Sequence, residues 1–379
     1  MKKITTLLLL CLLTLGATAQ NAKRQVAIFH CTGDNGNTMT AFDIDSIDKI
    51  KFITLENFNI TLAQVAVTDA SVKVSFSPTD KVKSATYYLD AAPDIVYTQT
   101  CDGSSWERTW TDLKPSTTVT VYCTIEDEYG ITKTVTLALT TQAAPAQQAA
   151  KVGDYFYADG TWSTTRHQGK TVVGIVFSTT PTDKDKAKGF TNGYAMAIKS
   201  LTDKAKWSNQ SYAEFESGAY ASLTDKGYIT DRDGYTHSTT LIEGITSSVQ
   251  HDAALNATQL SKPRALSGSN SGWYLPSMGQ MIDIMVNLGG LSTDSITHNE
   301  TANTGTWKGL AKTAINNLNA RLNPVGGTLF STSSAQYIWT SSESTARSAY
   351  YLYMNYGTDI STLTYYKTTE FEVRPVVAF

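Results

Sequence analysis

The sequence predicts a multidomain chain: an all-β sandwich over residues 56–142, then a short linker, then an α+β domain over 152–379. Three observations predict it. Residues 56–142 alternate apolar and polar side chains in short runs, VKVSFSP, ATYYLDA, VTVYCTI and KTVTLALTT among them. Turn signals separate these runs at intervals of roughly 8 to 12 residues, the pattern of strands with one buried face. Residues 143–151, AAPAQQAAK, are small and polar with no apolar period and read as a linker. Clear helical periodicity appears only beyond that linker.

The first 20 residues, MKKITTLLLLCLLTLGATAQ, read as a secretory signal peptide: Lys2 and Lys3, an apolar run too short to span a bilayer, then Ala17-Thr18-Ala19. Leu-Leu-Leu-Cys around Cys11 is a poor lipoprotein box, so a cleaved, non-lipidated product is expected. No later segment has the ~18 consecutive apolar residues of a transmembrane helix. Residues 21–55 form a short N-terminal β-segment, with strand-like runs RQVAIFHC and IDKIKFITL around a turn TGDNGNT. Asp43, Asp45 and Asp48 have no spacing that fits a calcium loop and read as solvated turn residues.

Removing Lys2 and Lys3 lowers the 31 basic residues to 29 against 34 acidic ones, a net charge of −5 with no basic stripe. Nucleic acid is therefore not an expected partner. A charged fraction of 17% with abundant Ser, Thr and Tyr suits an exported β-rich protein. Cys31, Cys101 and Cys123 remain after cleavage. A Cys101–Cys123 disulfide and three buried thiols are both open readings.

LKPSTTV, residues 113–119, resembles the L-x-P-x-T-x-Y corner of fibronectin type III domains. Leu113, Pro115 and Thr117 match, and Val119 replaces the tyrosine. The resemblance implies an Ig/fibronectin-like sandwich that spaces other domains apart.

In the last domain KTVVGIVFST reads as a near-continuous apolar strand. THSTTLIEGITSSVQHDAAL reads as a helical region. Ser277 and Gln280 form a capping box ahead of Met278, Met281, Ile282, Met285 and Leu288 at helical spacing, ended by Gly289-Gly290. A second helix is expected from Trp307 to Leu322, and strands follow to the C-terminus.

WYLPS, then a helix, then WTSSE, a YYLYMNYG strand and a terminal RPV resemble, in that order, the Lcl C-terminal domain family of C-type lectin-like domains. The resemblance covers 152–379 and is densest over 272–379. It implies a twisted antiparallel sheet system with two flanking helices, and binding rather than catalysis. Adhesin members of that family are associated with glycosaminoglycan or host-surface attachment. The Glu-Pro-Asn or Gln-Pro-Asp and Trp-Asn-Asp triplets of calcium-dependent lectins are absent, since Thr340-Ser341-Ser342 follows Trp339. No cofactor is expected. Formylglycine-generating enzymes share this fold family, but no cysteine lies beyond residue 123 to supply their catalytic pair.

Ser341, Ser342 and Glu343 invite a hydrolase reading. His167, His237, His251 and His298 have no spacing that places a base beside them, and no G-x-S-x-G elbow is present. The expectation is that the serine hydroxyls tie down a strand end. Asp231-Arg232-Asp233-Gly234 lacks the rest of a calcium loop and reads as a polar turn. No zinc motif is present.

In SAYYLYMNYG, alternation places Tyr350, Leu352 and Met354 on one face, matched by the resemblance to core positions. Tyr351, Tyr353 and Asn355 fall on the other, with Tyr356 at the turn. Tyr with Ser and Asn is the composition of combining sites. The expected ligand-facing residues are Ser344, Arg347, Tyr351, Tyr353, Asn355, Tyr356, Tyr365 and Tyr366. Tyr, Asn, Ser and Thr alternating before RPV also resemble the variable proteins diversified by bacterial retroelements. The expected protein is a secreted, cell-surface or outer-membrane-associated binding protein, with a periplasmic location also open. Its expected partner is a glycan or a host or bacterial surface protein. The alternative is a structural subunit of a pilus-like assembly.

Overall fold

The computed structural model describes residues 26–33, 36–43, 58–128, 130–209, 227–259 and 270–379. The chain divides into two compact units, Met1–Asn57 and Phe58–Phe379. In the first, strands β1 (Val26–Gly33) and β2 (Gly36–Asp43) form an antiparallel hairpin. Asn37 and Thr38, expected in a turn, pair with Thr32 and Cys31 instead. Thr38 and Thr40 are β-branched and favour extension. The signal peptide, the run IDKIKFITL, Asp45 and Asp48 lie outside the described residues.

The second unit opens with a sandwich. Its strands are β3 (Ile60–Val67), β4 (Val72–Pro78), β5 (Val82–Leu89), β6 (Ala92–Thr100), β7 (Trp106–Trp110), β8 (Thr118–Asp127) and β9 (Thr132–Thr140). A three-stranded sheet, β3-β4-β7, faces a four-stranded one, β6-β5-β8-β9. The alternation read from sequence holds: Val72, Val74 and Phe76 meet Ala85, Tyr87, Val121, Cys123 and Ile125 in one core. The corner at 113–119 is closed without a tyrosine. Val119 is buried, and the Thr141 hydroxyl donates to the Lys114 carbonyl at 2.6 Å and accepts the Thr117 amide at 2.9 Å. Cys101 and Cys123 are free thiols.

The remaining strands are β10 (Tyr155–Tyr157), β11 (Trp162–Ser163), β12 (Val172–Ser178), β13 (Tyr194–Ala197), β14 (Ala205–Lys206), β15 (Thr297–Asn299), β16 (Thr304–Trp307), β17 (Gln336–Thr345), β18 (Ser348–Met354), β19 (Ile360–Tyr366), β20 (Glu370–Phe371) and β21 (Val376–Ala378). They make two five-stranded sheets, β11-β10-β12-β13-β21 and β15-β16-β19-β18-β17, and a small β14-β20 pair. The helices are α1 (Asp183–Ala187), α2 (Gly234–Glu243), α3 (Asp252–Gln259), α4 (Met278–Asp283) and α5 (Ala311–Leu322). The helical region expected over 236–255 is thus two helices, α2 and α3. Trp307, expected to begin a helix, sits on β16.

Helix α4 continues as a π-helical turn, Ile284–Leu288, and its apolar side chains all enter the main core with those of α5. That core lies between the two five-stranded sheets: Ile175, Phe177 and Met196 come from one, Tyr350, Leu352 and Met354 from the other. The C-terminal strand is held by a fully buried arginine. Arg374 donates to the carbonyls of Ala197, Ile198 and Thr328 and lies over the Phe330 ring.

The sandwich and the C-terminal domain pack directly on one another. The Asp112 carboxylate accepts both the amide and the hydroxyl of Thr171 at 2.8 Å, and its amide donates to the Gly169 carbonyl. His167 Nε2 lies 2.6 Å from the buried Asp69 carboxylate. The segment between them has no regular structure, but Trp162 donates to the Gln148 carbonyl and Gln147 to that of Trp162. No helix among the described residues is long and apolar enough to cross a membrane.

Two outcomes follow from this packing. Arg374→Met removes the buried guanidinium's bonds to the Ala197, Ile198 and Thr328 carbonyls at once, so urea unfolding should show a loss of about 3 kcal/mol or more. A loss below about 1 kcal/mol would refute the clamp. Burial pushes the Cys123 thiol up from 9.0 to about 12. The unfolded thiol ionises first, so stability should fall between those two pH values, and Cys123→Ala should flatten that fall. An unchanged slope in the variant would remove Cys123 as its cause.

Candidate binding face

Ser341, Ser342 and Glu343 lie on β17, all fully buried. Trp339 Nε1 donates to the Ala205 carbonyl, and the Thr340 hydroxyl to the Tyr350 carbonyl. The Ser342 hydroxyl accepts the amide of Met278 at 2.9 Å and donates to the Asp231 carboxylate. The Asp231 carbonyl accepts the Ser277 hydroxyl at 2.7 Å and the Gly279 amide at 2.9 Å. Gln280 Oε1 accepts the Ser277 amide at 3.0 Å, one arm of the expected capping box. A Cβ at Gly279 would stand 2.3 Å from the Asp231 carbonyl, which explains a glycine inside the first turn of a helix.

Folding brings a serine, a histidine and an aspartate together here. Ser341 Oγ lies 3.5 Å from His237 Nδ1, and the same nitrogen lies 3.7 Å from Asp231 Oδ2. A nucleophile relay uses the two ring nitrogens separately, one for the serine and one for the acid. Here one nitrogen faces both, and Ser341 and His237 are buried beneath β17 and α2. The cluster ties strand to loop, as expected of these hydroxyls. Around it, Arg232 forms a two-pronged pair with Asp283, and Asp233 pairs with Lys184. Among the described residues no group of His, Cys, Asp and Glu converges to hold a metal.

Glu343 pairs with Lys367 inside the domain, both side chains inaccessible. Lys367 also donates to the Ala346 carbonyl at 3.1 Å and stands 4.6 Å from the Trp207 ring. Burial pulls the ammonium below its ordinary value, against the support of the Glu343 carboxylate. Sequence reading missed Lys367, since TYYKTTE looks like a polar turn.

The eight expected ligand-facing residues do not share one surface. Tyr351 is only 6% exposed and belongs to a second core with Trp339, Phe371, Trp207, Leu241 and Ala253. Its assignment to an exposed face is corrected: β14, β20, α2 and α3 cover that side of the sheet. Burial pushes its hydroxyl up to about 12. Ser344 is half-buried beside the Tyr350 hydroxyl, which donates to the Asn303 carbonyl at 2.9 Å. Tyr350 belongs to the main core, so Ser344 is engaged there. Tyr356 packs on that core too and donates to Asn316 Oδ1 on α5. Arg347 is exposed at the β17–β18 turn, where its carbonyl accepts the Lys367 amide.

What remains is a tyrosine margin. Tyr365 and Tyr366 are 46% and 60% exposed at the end of β19, with ring centroids 5.6 Å apart. Tyr365 packs edge-on against buried Tyr351 at 6.3 Å and against Phe371 at 5.8 Å. Half-buried Tyr337 and Tyr353, 5.4 Å apart, extend the row, and Asn355 Nδ2 donates to the Tyr353 hydroxyl at 3.2 Å. A shallow polar concavity of about 530 Å³ lies elsewhere, between Pro181, Arg232 and Asn287.

If the Glu343–Lys367 pair is a structural tie, Lys367→Met alone should cost about 3–5 kcal/mol of unfolding free energy. Glu343→Leu combined with Lys367→Met should recover most of it. A double variant no more stable than the single one would refute the pairing.

No protein-family model matches this chain, and no curated protein does. Among solved structures it is similar to a fimbrial protein from Bacteroides ovatus ATCC 8483, at 15% identity over 93% of this chain and 75% of that one, with a TM-score of 0.45. It is also similar to the sensor domain of the anti-sigma factor RsgI4 from Pseudobacteroides cellulosolvens, at 17% identity over 24% of this chain and all of that one, with a TM-score of 0.20. Neither likeness is close enough to carry a functional argument.

Proposed function

We propose that this chain is an exported, surface-associated binding protein, whose C-terminal domain engages a carbohydrate or protein ligand through the tyrosine margin at the end of β19. The supporting observation is the exposure of Tyr365 and Tyr366 on a sheet whose central strands are packed on both faces. Aromatic rings held by neighbours give large contact area at little entropic cost, and each tyrosine keeps a polar tip for hydrogen bonding. Arg347, beside Tyr366 at the β17–β18 turn, has a fork suited to a carboxylate or sulfate, and Tyr353 and Asn355 add polar groups toward the far end of β18. The lectin-like resemblance of WYLPS, WTSSE and RPV agrees with such a role. Within these motifs Ser277, Trp339, Ser342, Glu343 and Arg374 are structural ties, which leaves recognition to the strands between them.

A subunit of a surface assembly is the second reading. An open strand edge in the C-terminal domain would favour it. There β17 is capped by the Trp339 amide on the Glu372 carbonyl and the Glu372 amide on that of Tyr337, which leaves the short β15 and β11 as outer strands of their sheets.

The test is binding of the full mature chain to glycan and matrix-protein arrays, beside a Tyr365→Ala/Tyr366→Ala variant. Both rings are largely exposed, so the variant should stay folded, with a modest drop in unfolding temperature from the lost packing of Tyr365 on Tyr351 and Phe371, and lose its hits about tenfold or more. Equal binding by the variant would move the site elsewhere. Arrays on which neither protein binds would overturn the reading.

A further inference from the structure

We infer that the polar concavity between Pro181, Arg232 and Asn287 is a second binding site, separate from the tyrosine margin, which takes a neutral, hydroxyl-rich ligand: a sugar residue of a carbohydrate.

The concavity holds about 530 Å³. Small-molecule sites usually hold roughly 300–1,000 Å³. Segments distant in sequence build it. The loop after β12 brings Ser178, Thr180 and Pro181 and leads into α1. Arg232 stands just before α2. Asp283 and Asn287 come from the end of α4 and from the π-helical turn that follows it. Such turns are rare, and inside α-helices they frequently mark functional sites.

The polar groups are fixed before any ligand arrives. Asn287 Nδ2 donates to the Phe177 carbonyl at 2.9 Å, which holds the amide in place and leaves Oδ1 to accept from a ligand. Arg232 donates to the Asp283 carboxylate through Nε at 2.7 Å and Nη2 at 2.6 Å, and through Nη1 to the Thr230 carbonyl at 3.3 Å. Neither partner is saturated. The guanidinium has more N–H groups than these bonds use, and the carboxylate has more lone pairs. Their side chains are 31% and 12% exposed, so a ligand can reach both. Adjacent sugar hydroxyls each donate and accept, and flat amide, carboxylate and guanidinium groups match them in pairs. Holding those groups still beforehand lowers the entropy lost on binding.

Charge and polarity select the ligand. The charged side chains of the lining cancel, Arg232 against Asp283 and Lys186 against Asp183. A polyanion meets no net positive charge there, and a cation no net negative one. Among the lining residues Pro181 alone is apolar, and it is buried. A lipid or an aromatic ligand therefore has little surface to pack on. An uncharged ligand that hydrogen-bonds on several sides is what fits. No aromatic ring lines the concavity, so hydrogen bonds carry the affinity and a Kd of about 1 mM is expected.

Saturation-transfer NMR suits contacts this weak. The full mature chain is titrated with glucose, galactose, mannose and N-acetylglucosamine, beside anionic glucuronate and cationic glucosamine. At least one neutral sugar should give a saturable signal. Asn287→Ala removes the fixed amide, and Thr180→Arg fills the concavity from an exposed position. Each should weaken binding about tenfold or more. Thr109→Lys, exposed on β7 of the sandwich, should leave it unchanged. Should Asn287→Ala fold poorly for want of its bond to Phe177, Thr180→Arg carries the comparison alone. Silence from every neutral sugar, a signal indifferent to Thr180→Arg, one equally sensitive to Thr109→Lys, or about tenfold tighter binding of glucuronate or glucosamine would overturn the inference. The array test of the tyrosine margin uses other variants, so either result can fail without the other.

Discussion

The amide of Met278 opens helix α4 by donating to the buried Ser342 hydroxyl, which donates in turn to the Asp231 carboxylate. The Asp231 carbonyl takes the Gly279 amide and the Ser277 hydroxyl. A helix N-terminus leaves its first amides without intrahelical partners, and in a core no water can serve them. This knot serves them with groups from a loop and a strand distant in sequence. It thereby fixes where α4 enters the core and how far β17 runs before its register shifts. Gly234 and Gly279 let the backbones come this close, since a Cβ on either would meet a neighbour at 2.2 or 2.3 Å.

With β17 fixed, the sheet that carries the tyrosines is covered twice. One face enters the core shared with α4 and α5, and the other lies under α2, α3, β14 and β20. The buried Glu343–Lys367 pair closes the far end of that second core against Trp207. Burying an ion pair gives little net stability compared with an apolar substitute. Its effect here is geometric: Lys367 follows Tyr366 directly, so the fixed ammonium sets where the exposed tyrosines stand. The rings are held by packing before any partner arrives, which lowers the entropy lost on binding.

Local signals were the legible ones. The α4 helix, its Gln280 arm and the inward set Tyr350, Leu352 and Met354 depend on residues a few positions apart, and they stand where periodicity puts them. Alternation went wrong at Tyr351 because it assigns faces without saying what covers them. The residues that cover Tyr351 come from Trp207, Leu241, Ala253 and Phe371, spread over more than a hundred positions. The same limit hid the partners of Ser341 and Ser342. His237 and Asp231 lie about a hundred residues away, and no spacing rule joins them. At the sandwich corner the sequence showed a missing tyrosine, yet the bond was supplied from Thr141, which no local pattern marks.

The junction between sandwich and C-terminal domain bears on how these surfaces work together. A flexible linker would let the tyrosine margin sample many orientations relative to the sandwich. Here Asp112, Asp69 and their partners His167, Lys170 and Thr171 join the two directly, and Gly169 packs so close that a Cβ would stand 2.9 Å from the Ser71 and Thr68 hydroxyls. The tyrosine margin and the sandwich therefore keep a set relation within this unit. Rigidity at Asp112 and Gly169 thus presents the margin in one orientation relative to the sandwich, which lowers the orientational freedom lost when a partner binds.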